Sequence, residues 1–262
     1  MKVISSRDNS IIKETASLKE KKYRDALGLY LVEGPNLVKE LMEFGGRPRF
    51  IFLKAGADAE AQQIAADAPE PAAVYELTGD VFAKITDTNT PQGIAAVAEK
   101  KHWSEEEFFR QAGDGNVLVL DRLQDPGNEG TLIRLAEAMD FKGIIFIKGS
   151  ADPYQPKVVR AAAGAILRTP MLFVSGPEEL LEILARRGKT PFAAAMDAPH
   201  AIHETDLRKN AAILIGNEGS GISRELMERS EKISIPMSGK TESLNAAIAG
   251  AIIMYESQRQ KI

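Results

Sequence analysis

Val117-Leu118-Val119-Leu120 is a run of four large apolar residues with no polar face. Such a strand must be covered on both sides, as a central strand is in a parallel sheet layered with helices. Residues 143–147, 171–174, 191–196, 212–215 and 233–235 repeat the style, and helical apolar spacing fills the intervals at 129–139, 155–163, 177–186, 223–229 and 243–255. Strand and helix therefore alternate through the carboxyl half, which predicts a mostly parallel α/β sheet with ligand sites beyond the carboxyl ends of its strands.

The amino half reads as a smaller α/β unit. Leu29-Tyr30-Leu31-Val32 is a strand closed by Glu33-Gly34-Pro35, and Pro35 suits the first turn of a helix that stops at Gly45-Gly46. Further strands are expected at 49–53, 73–76 and 93–98, with helices at 58–68 and 79–85. The polar stretch 99–115, in which Ser104 precedes three glutamates, reads as a capped helical linker. The expected organisation is a domain over 1–98, a linker over 99–115 and a second domain over 116–262.

Charge is unevenly spread. Of 33 basic and 37 acidic residues in the 262-residue chain, residues 1–55 carry 11 basic and 7 acidic, residues 56–115 carry 4 and 12, and the remainder 18 of each. The densest basic run, Lys19-Glu20-Lys21-Lys22-Tyr23-Arg24, fits either a phosphate-tracking surface on a basic leading helix or a solvated helix face.

Several chemistries are excluded. The chain has no cysteine, so thiolate zinc sites, iron–sulfur clusters and cysteine nucleophiles fall away and a cytoplasmic setting is expected. The first residues lack the apolar core of a signal peptide, and the longest apolar run, 246–255, is half of what a bilayer needs, so no membrane association is expected. His200 and His203 are separated from a helix by Ala198-Pro199 and no acid completes a ligand set, so no metal is expected. Gly239-Lys240-Thr241 and Gly188-Lys189-Thr190 lack the earlier glycine of a P-loop, with Ser234 and Ile183 in its place.

Three loops follow strands where a site belongs. They are Asp121 to Arg134 with Asp125-Pro126-Gly127-Asn128 at a turn, Gly216-Asn217-Glu218-Gly219-Ser220-Gly221-Ile222, and Pro236 to Asn245. Asn128 reads by itself as a helix N-cap, Ser243 as the cap of the last helix, and the glycine loop as a place where backbone N–H groups can approach a ligand. Its glycine spacing is not the G-x-G-x-x-G of dinucleotide folds, which disfavours a Rossmann-type enzyme.

Together, Asn128-Glu129-Gly130 with Arg134, then Ile213 to Ile222, then Ile233-Ser234-Ile235-Pro236-Met237 leading into Ser243-Leu244-Asn245-Ala246-Ala247, resemble the three ordered motifs of the SpoU (TrmH) RNA 2′-O-ribose methyltransferases. Tyr30 to Gly34 and Thr88-Asn89-Thr90-Pro91-Gln92-Gly93-Ile94 are similar to the small RNA-binding domain that precedes the catalytic domain in many members. The resemblance implies a SPOUT α/β fold with a carboxyl-terminal deep trefoil knot. It also implies S-adenosylmethionine as cofactor, rRNA or tRNA as substrate with rRNA preferred, and a homodimer through the carboxyl-terminal domain. By position, Ile215, Gly216, Ile235, Pro236 and Leu244 would lie against the cofactor, and Arg134, Asn128, Glu218, Ser243 and Asn245 would form the polar catalytic set. Arg134 would hold the target phosphate and steady a developing alkoxide, with Glu218 orienting Arg134 or the nucleotide. The competing reading is a non-enzymatic RNA-binding protein with a degenerate methyltransferase domain, which the three intact motifs disfavour. Removal of residues 1–98 is expected to spare the cofactor site and weaken RNA binding.

Overall fold

A computed structural model describes residues 1–262 apart from 197 and 240–242, so Lys240 and Thr241 of the third loop lie outside the described residues. The chain forms two compact units, one of Met1–Lys101 with Asp152–Arg168, the other of His102–Ala151 with Thr169–Ile262.

In the first unit, β1 (Lys2–Ile4), α1 (Ser10–Ser17) and α2 (Lys21–Leu27) precede β2 (Leu29–Glu33), α3 (Pro35–Glu43), β3 (Pro48–Lys54), α4 (Ala59–Ala66), β4 (Ala73–Leu77), α5 (Gly79–Ile85) and β5 (Ile94–Glu99). The sheet order is β1-β4-β3-β5-β2. β4 runs parallel to both β1 and β3, and β5 is antiparallel to β3 and β2. β1 has only three residues and no readable period, so the sequence did not announce it. Gly28 at φ 65° ends α2, and Pro35 opens α3 as expected. Leu31, Phe52, Leu77, Phe82 and Val97 fill the core from strands and α5.

In the second unit, α6 (Glu105–Ala112), β6 (Val117–Asp121), α7 (Pro126–Ala138) and β7 (Ile144–Ile147) come first. The helices α8 (Pro156–Ala162) and α9 (Ala165–Arg168) then belong to the first unit. The second unit resumes with β8 (Met171–Val174), α10 (Pro177–Arg186), β9 (Thr190–Ala194), β10 (His200–Ala201), β11 (Ala211–Gly216), α11 (Arg224–Arg229), β12 (Glu231–Ser234) and α12 (Ala246–Arg259). Its sheet runs β10-β12-β9-β11-β6-β7-β8, with every neighbouring pair parallel. Val117 to Leu120 are fully buried near its middle, as an unbroken apolar strand requires.

Two expectations about organisation change. The stretch read as a linker contains α6, which begins with a capping box between Ser104 and Glu107 and buries Phe108, Phe109 and Ala112 in the core of the second unit. Phe108 and Phe109 lie side by side, one turn of helix presenting both to the sheet, a packing role that the neighbouring charges concealed. The segment Asp152–Arg168, expected inside the second domain, is held in the first unit by buried charge. Arg24 and Asp152 are 3% and 6% exposed at their side chains and pair at 2.7 Å, while the guanidinium also donates to the Leu18 and Lys19 carbonyls. The Tyr30 and Tyr154 rings lie 4.9 Å apart, and Arg160 meets Asp87 at 2.8 Å.

This also corrects the phosphate-tracking reading of the basic run. Arg24 is a buried structural cation, Lys19 donates to the Thr86 carbonyl, and Lys21 and Lys22 are solvated beside Asp25 and Glu20. A chain shortened to 99–262 would leave Asp152 without Arg24 and α8 without β2, so that truncation would not isolate an undisturbed cofactor half.

At the carboxyl end, the fully buried Asn116 amide donates to the Leu207 carbonyl and to Ser257, and accepts from the Ala211 N–H. Gln260 accepts from the Leu207 N–H and donates to the Ile202 and Thr205 carbonyls. These bonds satisfy backbone groups of the loop before β11 with side chains of the last helix, so the end of α12 is fastened rather than frayed.

Replacing Asp152 by Ala would leave the Arg24 guanidinium buried without a counter-charge. Breaking such a pair from one side costs about 3–5 kcal/mol, so urea denaturation of Asp152→Ala is expected to show a clearly lowered midpoint for the amino-terminal unit, against a small change for the solvated Lys21→Ala.

Candidate active site

β6 and β11 are neighbours in register, with Ile215 beside Leu120 and Gly216 beside Asp121, so the loops that leave them start side by side at the carboxyl edge. The stretch after β12 reaches the same place. Between these loops lies a cavity of about 490 Å³, walled by Ile215, Gly216, Ile233, Ile235, Leu244 and Ala249 among others, within the range of small-molecule clefts.

Gly216 is a steric necessity. A Cβ there would stand 2.3 Å from the Gly221 carbonyl carbon and the Ile222 nitrogen, so only glycine lets the loop fold back on its own strand. Gly221 takes φ 68°, which closes the turn, and Asn217 and Gly221 exchange backbone hydrogen bonds of 2.9 and 3.1 Å. Asn217 holds the interior of the loop: its side-chain oxygen accepts from the Gly219 and Ser220 N–H groups, and its amide nitrogen donates to the Arg122 carbonyl at 3.0 Å. The fully buried Asp121 carboxylate accepts from the Ser223 N–H and from Arg122, which pins the far side of the loop. Its neighbour Arg122 adopts φ 57°.

A chain of side-chain hydrogen bonds joins all three loops. The Asn245 amide donates to the Asn128 oxygen at 3.0 Å, and the Asn128 amide donates to Glu218 at 3.0 Å. Glu218 also accepts from the Asp125 and Gln124 N–H groups at 3.1 and 3.3 Å. Partial burial pushes the Glu218 carboxyl up, but the Asn128 amide and the backbone donors outweigh it and hold the group below the usual carboxylate range. A carboxylate lowered in this way contributes its full support above its unfolded pKa and loses it as pH falls through the folded value. The loops are therefore tied throughout the neutral range.

The structure gathers Asn128, Glu218 and Asn245 into one network, and Ser243 lines the cavity beside them. Arg134 stands apart. It lies six residues beyond Asn128 on α7, about 9 Å along the axis and about a third of a turn around it, and its exposed side chain has no hydrogen-bond or ion-pair partner among the described residues. Glu218 therefore does not orient Arg134 within the chain; its oxygens are taken by Asn128 and the turn before α7. Of the expected cofactor contacts, Ile215, Gly216, Ile235 and Leu244 line the cavity, whereas Pro236 is exposed and is not part of its wall.

Capping is distributed differently from the sequence reading. Asp125 caps α7 by accepting from the Asn128 N–H, with Pro126 in the first turn, which frees the Asn128 side chain for Glu218 and Asn245. α12 starts at Ala246 and its cap is Asn245, which accepts from the Ala247 and Ile248 N–H groups, so Ser243 is not a cap. Asn217 and Asp121 were missed. An Asn two residues before a glycine is an Asx-turn signal, and an acid closing an otherwise apolar strand marks a buried charge in need of donors.

The comparisons with known proteins follow this geometry. Residues 115–255 match the model of the SpoU rRNA Methylase family, and residues 9–96 match the MRM3-like substrate binding domain. The chain belongs to the SpoU rRNA methylase family. It is 33% identical over 256 residues to the 23S rRNA (guanosine(2553)-2′-O)-methyltransferase RlmP of Bacillus subtilis, covering 97% of this chain and 98% of that protein. It is also 32% identical over 177 residues to the 23S rRNA (guanosine-2′-O-)-methyltransferase RlmB of Xanthomonas campestris, covering 65% and 71%. Among solved structures, the AdoMet-bound rRNA methyltransferase from Sinorhizobium meliloti superposes with a TM-score of 0.90 at 28% identity, covering 100% of this chain and 98% of that one.

Gly216→Ala is expected to abolish cofactor binding while leaving the first unit folded, because its methyl would collide with backbone that cannot move without opening the 216–222 loop. Titration calorimetry with S-adenosylhomocysteine checks this; an affinity within a factor of about three of wild type would show that the loop does not shape the site.

Proposed function

We propose that this protein transfers a methyl group from S-adenosylmethionine to a ribose 2′-hydroxyl of ribosomal RNA. The observation that carries the reading is the convergence of three strand-end loops on one cavity, tied by Glu218, Asn128 and Asn245, with Arg134 exposed further along α7. Family membership and the rRNA 2′-O-methyltransferases among its relatives support it.

The residues present fit the cofactor. Gly216, Asn217, Glu218, Gly219 and Gly221 line a cavity whose apolar walls include Ile215, Ile235 and Leu244, which suits a ligand carrying a polar amino acid and an apolar adenine face. When bound, S-adenosylmethionine supplies a methyl group activated by a sulfonium centre. The protein's own part is positional and electrostatic. Asn128 and Asn245 hold the first and third loops at a fixed spacing, and Glu218 locks the turn that opens α7. Arg134, always protonated and without a partner among the described residues, is available to hold the phosphate of the target nucleotide and to steady negative charge as the 2′-oxygen loses its proton.

The finer features of the family are proposed here too. The pairing of β12 with β9 and β10, while α12 packs on α7 and β11, supports a carboxyl-terminal trefoil knot. A homodimer through the carboxyl-terminal domain would not use the Gly250 face of α12, which packs within the chain: a Cβ there would stand 2.4 Å from a Leu132 methyl. The other face of α12 exposes Ile248 (53%) and Tyr255 (58%), and those side chains support the dimer instead. The amino-terminal unit is the RNA-binding part. Among the described residues no helix is long and apolar enough to cross a membrane, and a cytoplasmic site of action accords with the substrate.

Mapping 2′-O-methyl positions in rRNA from cells with and without this protein tests the reaction; identical maps would refute it. Arg134→Ala is expected to lower single-turnover methyl transfer by about 10²–10³-fold with a modest change in RNA affinity. Arg134→Lys should restore little, because a point charge does not reproduce the planar fork. For the assembly, Ile248→Asp with Tyr255→Asp is expected to halve the mass seen in sedimentation at micromolar concentration; a wild-type mass of one chain would contradict the dimer.

A further inference from the structure

The amino-terminal unit contains a second recess, of about 290 Å³, whose wall includes Tyr30, Phe44, Arg47 and Tyr154. Tyr30 is only 4% exposed, and its hydroxyl has no hydrogen-bond partner among the described residues. The neighbouring Tyr154 hydroxyl, by contrast, donates to the Lys101 carbonyl at 3.2 Å. A phenol that opens on a recess without a protein partner is available to water or to a ligand that replaces the water. Burial pushes the Tyr30 hydroxyl well above its ordinary pKa, so it remains a neutral donor at any physiological pH.

The mouth of the recess differs from its floor. Phe44 caps α3 with its ring 52% exposed, and the Arg168 guanidinium lies over that ring at 4.5 Å. Arg47 follows Gly45-Gly46, is exposed, and has no carboxylate partner among the described residues. Lys100 is already committed, pairing with Asp25 at 2.7 Å and lying over the Tyr154 ring at 5.1 Å. An exposed aromatic residue, an available hydroxyl and a cation with no ion-pair partner among the described residues, within one recess, match in that order the stacking surface, the base edge and the phosphate of a nucleotide.

We propose that this recess binds one unpaired nucleotide of the RNA substrate, its base stacked on Phe44 with an edge hydrogen-bonded to the Tyr30 hydroxyl, and its phosphate at Arg47. The proposal rests on the reading of the chain as an RNA methyltransferase, and it assigns single-strand recognition to the amino-terminal unit. A base held in a helix cannot enter the recess, so selectivity for a splayed nucleotide follows from shape.

The full-length protein is titrated with a nine-residue oligouridine carrying 2-aminopurine at its centre, alone and annealed to its complement. The single strand is expected to bind with a change in 2-aminopurine fluorescence and the duplex to bind without one. Tyr30→Phe removes a hydroxyl that has no internal partner, so it should leave thermal unfolding unchanged and weaken the single strand about fivefold. Phe44→Ala should weaken it by about ten- to a hundredfold and abolish the fluorescence change. Arg47→Ala should lower the slope of log affinity against log salt by about 0.7 and preserve the fluorescence change at saturation. S-adenosylhomocysteine affinity should be unaltered in all three. Equal binding of the single strand by wild type, Tyr30→Phe and Phe44→Ala, or the same fluorescence change with single strand and duplex, would overturn the pocket. Methylation of an rRNA transcript by the wild type is measured in parallel. Methyl transfer with variant-insensitive binding removes the pocket and leaves the enzyme reading, whereas variant-sensitive binding without methyl transfer supports the pocket and removes that reading.

Discussion

The hydrogen-bond chain from Glu218 through Asn128 to Asn245 is the constraint on which the walls of the cavity depend. Glu218 lies in the loop after β11, Asn128 in the first turn of α7 and Asn245 at the cap of α12, and each bond is about 3.0 Å. Loops that leave neighbouring parallel strands have no backbone ladder to hold them once the strands end, so side chains must supply the register. Glu218 is suited to this because an ionised carboxylate can accept from several donors at once, here two backbone N–H groups and an amide. Asn128 and Asn245 are suited because an amide donates on one side and accepts on the other, which lets the chain pass through them.

Sterics complete what those bonds begin. Gly216 brings the second loop back against its own strand, and Gly250 brings α12 against Leu132 of α7, so two close backbone approaches bracket the cavity. The buried Asn116 then fixes the end of α12 to the segment before β11. Because Asn245 caps α12, the residue that fixes the start of the helix also closes the hydrogen-bond chain, and helix position and loop position cannot vary independently. Arg134, exposed on the same α7 that carries Asn128 and without a partner among the described residues, stands outside this scaffold.

In the first unit the comparable constraint is electrostatic. Arg24 and Asp152 come from segments 128 residues apart, and both are almost wholly buried. A buried pair of this kind is a poor source of net stability but strongly disfavours arrangements that separate its members. It therefore specifies that Asp152–Arg168 belongs with β2 and α2, and that segment in turn brings Tyr154 to Tyr30 and Arg168 to Phe44.

Much of this was legible in the residues. Unbroken apolar runs such as Val117 to Leu120 announced a parallel sheet covered on both faces, Pro35 and Gly45 marked the ends of α3, and the order of the Asn128, Gly216 and Asn245 segments carried the resemblance to the family. These features are local: burial on both faces, a fixed φ or a missing Cβ acts on a residue and its immediate neighbours, so the chain carries the signal in a short window. What tertiary structure alone decided depends on partners far apart in sequence. No local pattern says that Arg24 would be buried against Asp152 rather than solvated in its basic run, that Phe108 and Phe109 would turn a polar stretch into core, or that Glu218 would bind Asn128 and leave Arg134 alone. A side chain's propensity is written in the sequence, but the identity of the donor or counter-charge that completes it appears only once the fold has excluded water and brought distant segments within hydrogen-bond reach.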